Sequence, residues 1–266
     1  MSVKDDLPTA MYVRGSCNTL LFKQADIEAV YTLGCYGSSS CTNTLKPLFM
    51  RKNRKRFRDQ DAEASWVEPW KLSMMESYYL LVRGEINIVS DDKQLTAAEF
   101  WKECSTSEGV SCASDFALLY AAFFSLREQG WVVKMGRSYG GDLVVYQGDP
   151  DFFHSQFCVL VKDSKTTPWN WLSVSREMRV SQQTAKEVML CEVTLLEDAA
   201  VPGCKATVDC AVMLRWMLQH EELGKERQVL GKLKKKLIAP VLKIKKQQEK
   251  QAKKQKESTT EKSSVK

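Results

Sequence analysis

This sequence has little histidine, and it lacks metal-binding cysteine pairs and phosphate-binding glycine motifs. Only two of its 266 residues are histidine, His154 and His220, and no C-x-x-C pair occurs among the nine cysteines. The glycine patterns GxGxxG and GxxxxGK[S/T] are also absent. These absences argue against a zinc site built on cysteine and histidine, and against a dinucleotide-binding or P-loop fold.

Long apolar runs are absent too. No segment approaches the roughly 18 consecutive apolar residues that a membrane-spanning helix needs. The first nine residues contain Asp5 and Asp6 and no apolar stretch, so we expect no secretory signal and no membrane partner. In the reducing compartment that this implies, we expect the cysteines to be small core residues and surface thiols.

Positive charge is concentrated at one end of the chain. Residues 225–266 carry 15 Lys and Arg against four Glu, a net charge of +11, whereas residues 1–224 carry 24 basic and 29 acidic groups, a net charge of −5. Charge alone therefore does not predict nucleic-acid binding by the folded part. The Lys- and Gln-rich end is expected to be a disordered basic tail, or to become helical on a partner or on RNA. The basic run RKNRKRFR at 51–58 is expected to be a solvated loop, with a nuclear-import signal or an RNA-phosphate contact as alternatives.

The apolar pattern predicts an α/β protein whose first part, residues 1–104, is a mixed α/β module. A strand-like start is followed by a helix that stops at Gly34, and a second helix is predicted from Trp66 and Trp70 through the apolar run KLSMMESYYLLVRG, stopping at Gly84. Thr96 and Glu99 have capping-box spacing and predict a short third helix.

Residues 113–222 are predicted to form a second α/β unit, with a mixed sheet flanked by helices. Ser114 is predicted to cap an apolar helix that Gly130 ends. Strands are predicted in WVVKMG, DLVVYQG, QFCVLVK and VMLCEVTLL. We expect a helix over 175–187 before the fourth strand, and another across DCAVMLRWMLQ after it.

Two reactive side chains are predicted to converge beside one turn. Gly140, Gly141 and Asp142 let the chain reverse into a strand that ends at Tyr146, and a tight loop separates this strand from His154. Catalytic residues are common on such loops, and imidazole exchanges protons near neutral pH. Taken separately, however, a tyrosine at a strand end is usually a packed aromatic, and a lone histidine is usually structural.

At this stretch the sequence resembles the tRNA-intron endonuclease family. The family pattern of G-W/Y-V-V-K-x-G, an aromatic, G-G/A-D, a tyrosine and a following histidine is matched by Gly130, Trp131, Val132, Val133, Lys134, Gly136, Tyr139, Gly140, Gly141, Asp142, Tyr146 and His154. The segment RVSQQTAKEVMLCEV supplies the family's third catalytic position, Lys186. The N-terminal module, the GDPDFFH loop and the MLRWM motif resemble the eukaryotic catalytic subunit that cuts at the 5′ splice site.

The resemblance implies a nuclease-like catalytic domain that cleaves RNA without a metal or any other cofactor. The ribose 2′-OH attacks its own phosphorus and leaves 2′,3′-cyclic phosphate and 5′-OH ends. By this resemblance Tyr146 is the base, His154 is the acid, and Lys186 stabilises the charge of the phosphorane. A cation lowers a tyrosine pKa from its usual value near 10, and we expect Lys186 to be that cation. No acidic cluster at metal-ligand spacing accompanies these three residues in the sequence.

The resemblance also implies how RNA and partner chains are bound. Arg179 and Trp216 match positions that stack on a flipped intron base; without the resemblance they are a solvated helix residue and a core tryptophan. The implied substrate is intron-containing pre-tRNA. The implied assembly is a nuclear heterotetramer with a second catalytic subunit for the 3′ splice site and two structural subunits.

Two other functions stay open from the sequence. One is a structural subunit of the same assembly that binds RNA without cutting it. The other is an unrelated nucleic-acid-binding protein that acts through its lysine tail.

Overall fold

The computed structural model describes residues 7–42, 44–50, 67–106, 113–166, 170–183 and 186–213. These residues form a mixed α/β protein with two mixed sheets, which confirms the predicted fold class. The basic run at 51–58, the predicted tail at 225–266 and Trp216 lie outside the described residues. Within the described ranges, no helix combines the length and apolar character that crossing a membrane requires.

The first sheet contains six short strands. In chain order they are β1 (Thr9–Tyr12), β2 (Asn18–Leu21), β3 (Ser38–Ser39), β4 (Trp70–Ser73), β5 (Asn87–Ser90) and β6 (Lys93–Gln94). Across the sheet the order is β3-β4-β2-β1-β5-β6. The pair β1 and β5 is parallel, and the other neighbours are antiparallel.

Three helices belong to this part of the chain, namely α1 (Gln24–Gly34), α2 (Met74–Val82) and α3 (Ala97–Thr106). The first helix ends at Gly34 as predicted. The Thr96 N–H donates to the Glu99 carboxylate at 2.9 Å, and the Glu99 N–H donates to Thr96 Oγ1 at 3.3 Å. This reciprocal pair confirms the predicted capping box before α3.

The helix predicted from Trp66 to Gly84 is wrong at its beginning. Trp70 and Leu72 are the buried, alternating residues of strand β4. The helix begins at Met74, because Ser73 caps it and forms a capping box with Glu76. Alternating burial over four residues is a strand signal, and the apolar helix that follows directly obscured it in the sequence.

The second sheet contains five strands in the order β11-β10-β9-β8-β7. Its elements in chain order are α4 (Ala113–Glu128), β7 (Val132–Met135), β8 (Leu143–Tyr146), β9 (Phe157–Asp163), α5 (Trp171–Gln183), β10 (Glu187–Leu195) and β11 (Ala206–Met213). The four predicted strands are all present. Strands β9 and β10 are parallel and are connected through α5, and the other neighbours are antiparallel.

Two predicted helix boundaries in this part are wrong. Ser114 lies inside α4 and not at its N-cap, because that helix already begins at Ala113. Helix α5 covers Trp171–Gln183 and not 175–187. The chain is already extended at Glu187, where parallel pairing with β9 has begun.

The helix predicted across DCAVMLRWMLQ is also wrong for its first five residues. They belong to β11, which ends at Met213 and pairs antiparallel with β10 from Ala206 onward. The polar residues Thr207 and Asp209 alternate with the apolar residues Val208 and Cys210. This pattern suits a strand as well as a helix. The long partner strand β10 decided between the two, as tertiary context commonly does.

Aromatic packing connects the helices of the two parts. Trp101 on α3 lies 4.8 Å from Tyr78 on α2 and 5.1 Å from Phe116 on α4, measured between ring centroids. Tyr120 on α4 lies 4.9 Å from Tyr78. Aromatic pairs of this kind contribute about 0.5–1.5 kcal/mol each beyond their buried area. This packing therefore joins α4, which precedes the second sheet, to the helices of the first part.

Candidate active site

Tyr146 is the last residue of β8 and is almost completely buried, with 4% of its surface exposed. It pairs across the sheet with Val132 on β7. Because alternate residues of a strand share one face, Tyr146 and Val144 pack together with Val132 in one apolar cluster, and Tyr139 packs against it. The predicted position at a strand end is therefore confirmed, and the ring itself is held by core packing.

The pKa of Tyr146 is raised to about 12. Burial is the largest cause, the nearby Tyr139 raises the pKa further, and a hydrogen bond with Ser155 acts in the opposite direction. The expected lowering of this pKa is not found, since its net shift is upward. Burial and Tyr139 penalise the phenolate more than the hydrogen bond with Ser155 favours it, so the neutral phenol is stabilised.

Lys186 lies one residue before β10 and is half-buried. Glu187 pairs with Phe157 in parallel register, so Lys186 lies beside Gln156, close to the end of the loop that carries His154. The Lys186 Nζ is 4.4 Å from the centroid of the Tyr139 ring, a cation–π contact. Burial lowers the pKa of Lys186 below its usual value.

His154 lies in the loop between β8 and β9 and is exposed. The base of this loop is closed by two hydrogen bonds. The Gln156 N–H donates to the Val145 carbonyl at 2.9 Å, and the Gln156 side-chain amide donates to Gln147 at 3.1 Å. Ser155, which follows His154, is buried, and its hydroxyl lies near enough to Tyr146 to lower the pKa of that phenol. The loop therefore places His154 next to a residue that touches Tyr146.

Contacts with Tyr139 connect two of the three predicted catalytic residues, Lys186 and Tyr146, and the third, His154, adjoins Ser155 in the chain. Lys186 contacts Tyr139, Tyr139 packs beside Tyr146, and Tyr146 lies near Ser155, the neighbour of His154. Sequence reasoning assigned no role to Tyr139 or Ser155. Tyr139 is the aromatic residue before two glycines in the family pattern, and this position was the signal in the sequence that could have indicated a role. Ser155 carried none except its place beside His154.

Of the two predicted base-stacking residues, the structure describes one. Arg179 lies on α5 with an exposed side chain. Trp216 lies outside the described residues.

A cavity of about 360 Å³ lies beside Tyr146. Its polar lining comes from both sheets and includes Asn18, Lys71, Ser73, Lys134, Tyr139 and Tyr146. Among the described residues, no group of three or more His, Cys, Asp and Glu side chains is arranged to hold a metal ion.

Comparison with known sequences gives the family. A family model described as "tRNA intron endonuclease, catalytic C-terminal domain" matches residues 116–200, and one described as "tRNA intron endonuclease, N-terminal domain" matches residues 15–101. The Mus musculus protein "tRNA-splicing endonuclease subunit Sen2" is 28% identical over 166 residues, which cover 57% of this chain and 35% of that protein. The chain thus spans about a third of the length of this relative.

Two other relatives are matched over more of their own length. The Arabidopsis thaliana "tRNA-splicing endonuclease subunit Sen2-1" is 26% identical over 220 residues, 79% of this chain and 81% of that protein. The Saccharolobus solfataricus "tRNA-splicing endonuclease" is 34% identical over 129 residues, 48% of this chain and 67% of that protein. Because both domain models match in order and the Saccharolobus solfataricus relative is 34% identical over 67% of its own length, the chain belongs to the tRNA intron endonuclease family.

Proposed function

We propose that this chain is a catalytic subunit of a tRNA-splicing endonuclease and that it cuts pre-tRNA at the 5′ splice site. The observation that carries the proposal is the contact series Lys186–Tyr139–Tyr146–Ser155 with His154 at its end. It would bring a phenol and an ammonium group together, with the imidazole of His154 in the adjoining loop. These are the groups that an internal transesterification of RNA requires.

The proposed step is attack of the ribose 2′-oxygen on the adjacent phosphorus. A bond forms between O2′ and phosphorus, and the bond between phosphorus and O5′ breaks. Tyr146, as phenolate, takes the 2′-OH proton, and the His154 imidazolium gives its proton to O5′. The products are a 2′,3′-cyclic phosphate and a 5′-OH, with no water consumed and no metal required by the balance of atoms.

The raised pKa of Tyr146 has two consequences for its role as base. At neutral pH few molecules carry the phenolate, but each phenolate is a stronger base than an ordinary tyrosinate, because basicity rises with pKa. The negative charge of a nearby substrate phosphate also disfavours the phenolate, because like charges repel each other. The ammonium of Lys186 is held against the Tyr139 ring. It would then offset the negative charges of the Tyr146 phenolate and of the substrate phosphate as the phosphorane forms.

The cavity beside Tyr146 supports the proposal. Its volume of about 360 Å³ is within the range typical of small-ligand pockets, which is sufficient for the sugar and phosphate at a cleavage site. Lys71 and Ser73 from β4 line it together with Tyr146. On this basis we propose that the N-terminal part contributes directly to substrate binding.

The remaining assignments belong to the same proposal. Arg179 and Trp216 would hold a flipped intron base at the partner's cleavage site. The assembly would be a nuclear heterotetramer with a second catalytic subunit for the 3′ splice site and two structural subunits. We further propose the division into an N-terminal module at 1–104, a catalytic domain at 113–222 and a basic tail at 225–266.

The test is cleavage of an intron-containing pre-tRNA by the reconstituted complex in excess EDTA. Wild type is compared with His154→Ala, and His220→Ala, which changes the chain's other histidine, is the matched control. We expect the His154→Ala complex to lose the 5′ cut only. Wild-type and His220→Ala complexes should leave a 2′,3′-cyclic phosphate and a 5′-OH at that site, and a 2′-deoxyribose there should block the cut.

Other outcomes would identify another function. An unchanged 5′ cut in the His154→Ala complex would make the chain a structural subunit or the subunit for the 3′ site. Inhibition by EDTA would contradict the metal-independent step. Loss of all activity on deletion of residues after Gly224, with His154 intact, would favour a protein that acts only through its basic tail.

A further inference from the structure

The loop that carries His154 is organised around one aspartate, Asp149. The carboxylate of Asp149 accepts a hydrogen bond from the Asp151 N–H at 2.9 Å. Its backbone carbonyl accepts from the N–H groups of Phe152 at 3.0 Å and Phe153 at 3.1 Å. Phe153 directly precedes His154, so the backbone is bound to Asp149 up to the residue before the histidine.

Two residues far away in the sequence hold Asp149 in turn. The Tyr31 hydroxyl on α1 donates to Asp149 Oδ1 at 2.8 Å. The Lys46 Nζ donates to Asp149 Oδ2 at 3.1 Å and lies 3.6 Å from the Asp151 carboxylate. Both donors precede the second sheet in the chain. The N-terminal part therefore determines where this loop of the catalytic domain lies.

The two donors are themselves well fixed. Tyr31 is buried and meets the Trp70 ring edge-on at a centroid distance of 6.2 Å. The Lys46 side chain is only 13% exposed, although it is charged. Burial raises the pKa of the Asp149 carboxyl, but the hydrogen bonds of Asp151, Tyr31 and Lys46 outweigh it and hold this pKa below its usual value. The ion pair is thus formed at neutral pH.

Apolar packing does little to hold the outer part of this loop in one conformation. Phe152 is 76% exposed and Phe153 is 47% exposed, so apolar burial contributes little at these two positions. A segment with few buried apolar contacts opens easily unless polar contacts restrain it. A general acid also has to lie within tenths of an ångström of its productive position, because misplacement by about 1 Å costs up to about 100-fold in rate.

We propose that Tyr31, Lys46 and Asp149 are positioning residues, which hold the 148–154 loop so that His154 can protonate the leaving 5′-oxygen. This inference rests on the proposed function, because it assigns His154 the role of acid. The three residues act through the loop backbone and touch no reacting atom. Their contribution should therefore be large for a leaving group that needs a proton and small for one that does not.

The experiment measures single-turnover cleavage at the 5′ splice site by the assembled complex. One substrate has the natural 5′-oxygen, and the other has a bridging sulfur in its place, which leaves as a thiolate and needs no proton. The variants are Lys46→Met, Asp149→Asn and Tyr31→Phe, of which the last removes a single hydroxyl group. Thermal unfolding of each variant shows that it is folded.

We expect Lys46→Met and Asp149→Asn to slow cleavage of the oxygen substrate about 10- to 100-fold, and Tyr31→Phe to slow it by a smaller factor. Cleavage of the sulfur substrate should stay within about threefold of wild type, as it should for His154→Ala. Lys46→Arg should keep most of the rate on both substrates, because it preserves the ion pair.

Matched controls change the same residue types elsewhere. Lys93→Met breaks the exposed ion pair with Glu99 at 2.9 Å. Asp163→Asn alters another turn aspartate, which accepts hydrogen bonds from the Lys165 N–H at 3.0 Å and Thr166 Oγ1 at 2.7 Å. Both controls should cleave the two substrates at the wild-type rate.

The outcomes separate this inference from the function on which it rests. Equal losses on both substrates, or no loss on either, with active wild type, would overturn the positioning role alone. A wild-type complex that cleaves neither substrate would overturn the proposed function and this inference with it.

Discussion

Glu76 on α2 and Lys134 on β7 form an ion pair with an Oε1–Nζ distance of 2.8 Å, and their side chains are only 5% and 7% exposed. The pair joins a helix of the first part to a strand of the second sheet. Lys134 also donates to the Gly37 carbonyl at 2.6 Å, and the Gly37 N–H donates to Glu76 Oε1 at 3.0 Å. The two charges therefore share a backbone partner, and both line the cavity beside Tyr146.

Replacing only one residue of this ion pair should destabilise the protein strongly. Lys134→Met leaves the Glu76 carboxylate buried without its cation, and we expect it to lower the free energy of unfolding by about 3–5 kcal/mol. Adding Glu76→Gln to this variant removes the unpaired charge and should recover part of the loss. Guanidinium denaturation at pH 7 measures both. Lys93→Met, at an exposed pair, should change stability by less than about 1 kcal/mol; an equal loss there would contradict the argument from burial.

The same pair predicts a pH dependence. Burial raises the pKa of Glu76, but Lys134 and the N–H groups of Gly37 and Ser73 hold it below its usual value. A carboxyl group whose pKa is lowered by folding stabilises the protein above its unfolded pKa, near 4.3, and loses this contribution as the pH falls through its folded pKa. The stability difference between wild type and Glu76→Gln should therefore shrink on acidification below about pH 4. Denaturation curves at several pH values would show a constant difference if the carboxyl is unperturbed.

Gly37 should not tolerate a side chain. Its φ is +81°, and a Cβ there would lie 2.2 Å from Trp70 Nε1 and 2.9 Å from Leu72 Cδ2. Gly84 has a φ of +68° with open space around it. The loss of stability in Gly84→Ala, about 1–2 kcal/mol, therefore measures the effect of the backbone conformation alone. Gly37→Ala should cost about 1–3 kcal/mol more because of the overlap. Equal losses in denaturation experiments would mean that Trp70 moves aside freely.

The pKa of Tyr146 should respond to its two polar neighbours in opposite directions. Tyr139 raises this pKa and the hydrogen bond of Ser155 lowers it. We expect Tyr139→Phe to lower the pKa of Tyr146 from about 12, and Ser155→Ala to raise it. Titration of ¹³C-labelled tyrosine by nuclear magnetic resonance, with Tyr146→Phe to assign the signal, gives each value. Shifts of the same sign in both variants would contradict this arrangement.

The Tyr139 ring and its hydroxyl should have separable effects on cleavage. Tyr139→Phe keeps the ring that lies under Lys186, so the cation–π contact stays. Tyr139→Leu removes the ring and should slow the 5′ cut several-fold more than Tyr139→Phe, because Lys186 loses the surface that positions it. Lys186→Met should cost about 100- to 1000-fold in single-turnover rate. Lys205→Met, at an 80% exposed lysine, is the matched control and should leave the rate unchanged.

Local signals in the sequence predicted many of the helices and strands correctly. The capping box of Thr96 and Glu99 and the end of α1 at Gly34 depend on contacts within one or two turns. Runs of β-branched residues predicted β8 and β9 for the same reason. Two of the errors occurred where two patterns met or were equally good, at Trp70–Ser73 and at Asp209–Met213. There the pairing with a neighbouring strand decided.

The sequence by itself determined the family resemblance, the class of fold and the residues Tyr146, His154 and Lys186 as one candidate set, because these depend on residue type and on order along the chain. Tertiary structure alone decided the contact of Lys186 with Tyr139 and the raised pKa of Tyr146. It also decided that Tyr31 and Lys46 bind Asp149, from 118 and 103 residues away. Such contacts depend on how separate elements pack, and burial sets the energy of each charge only after that packing exists.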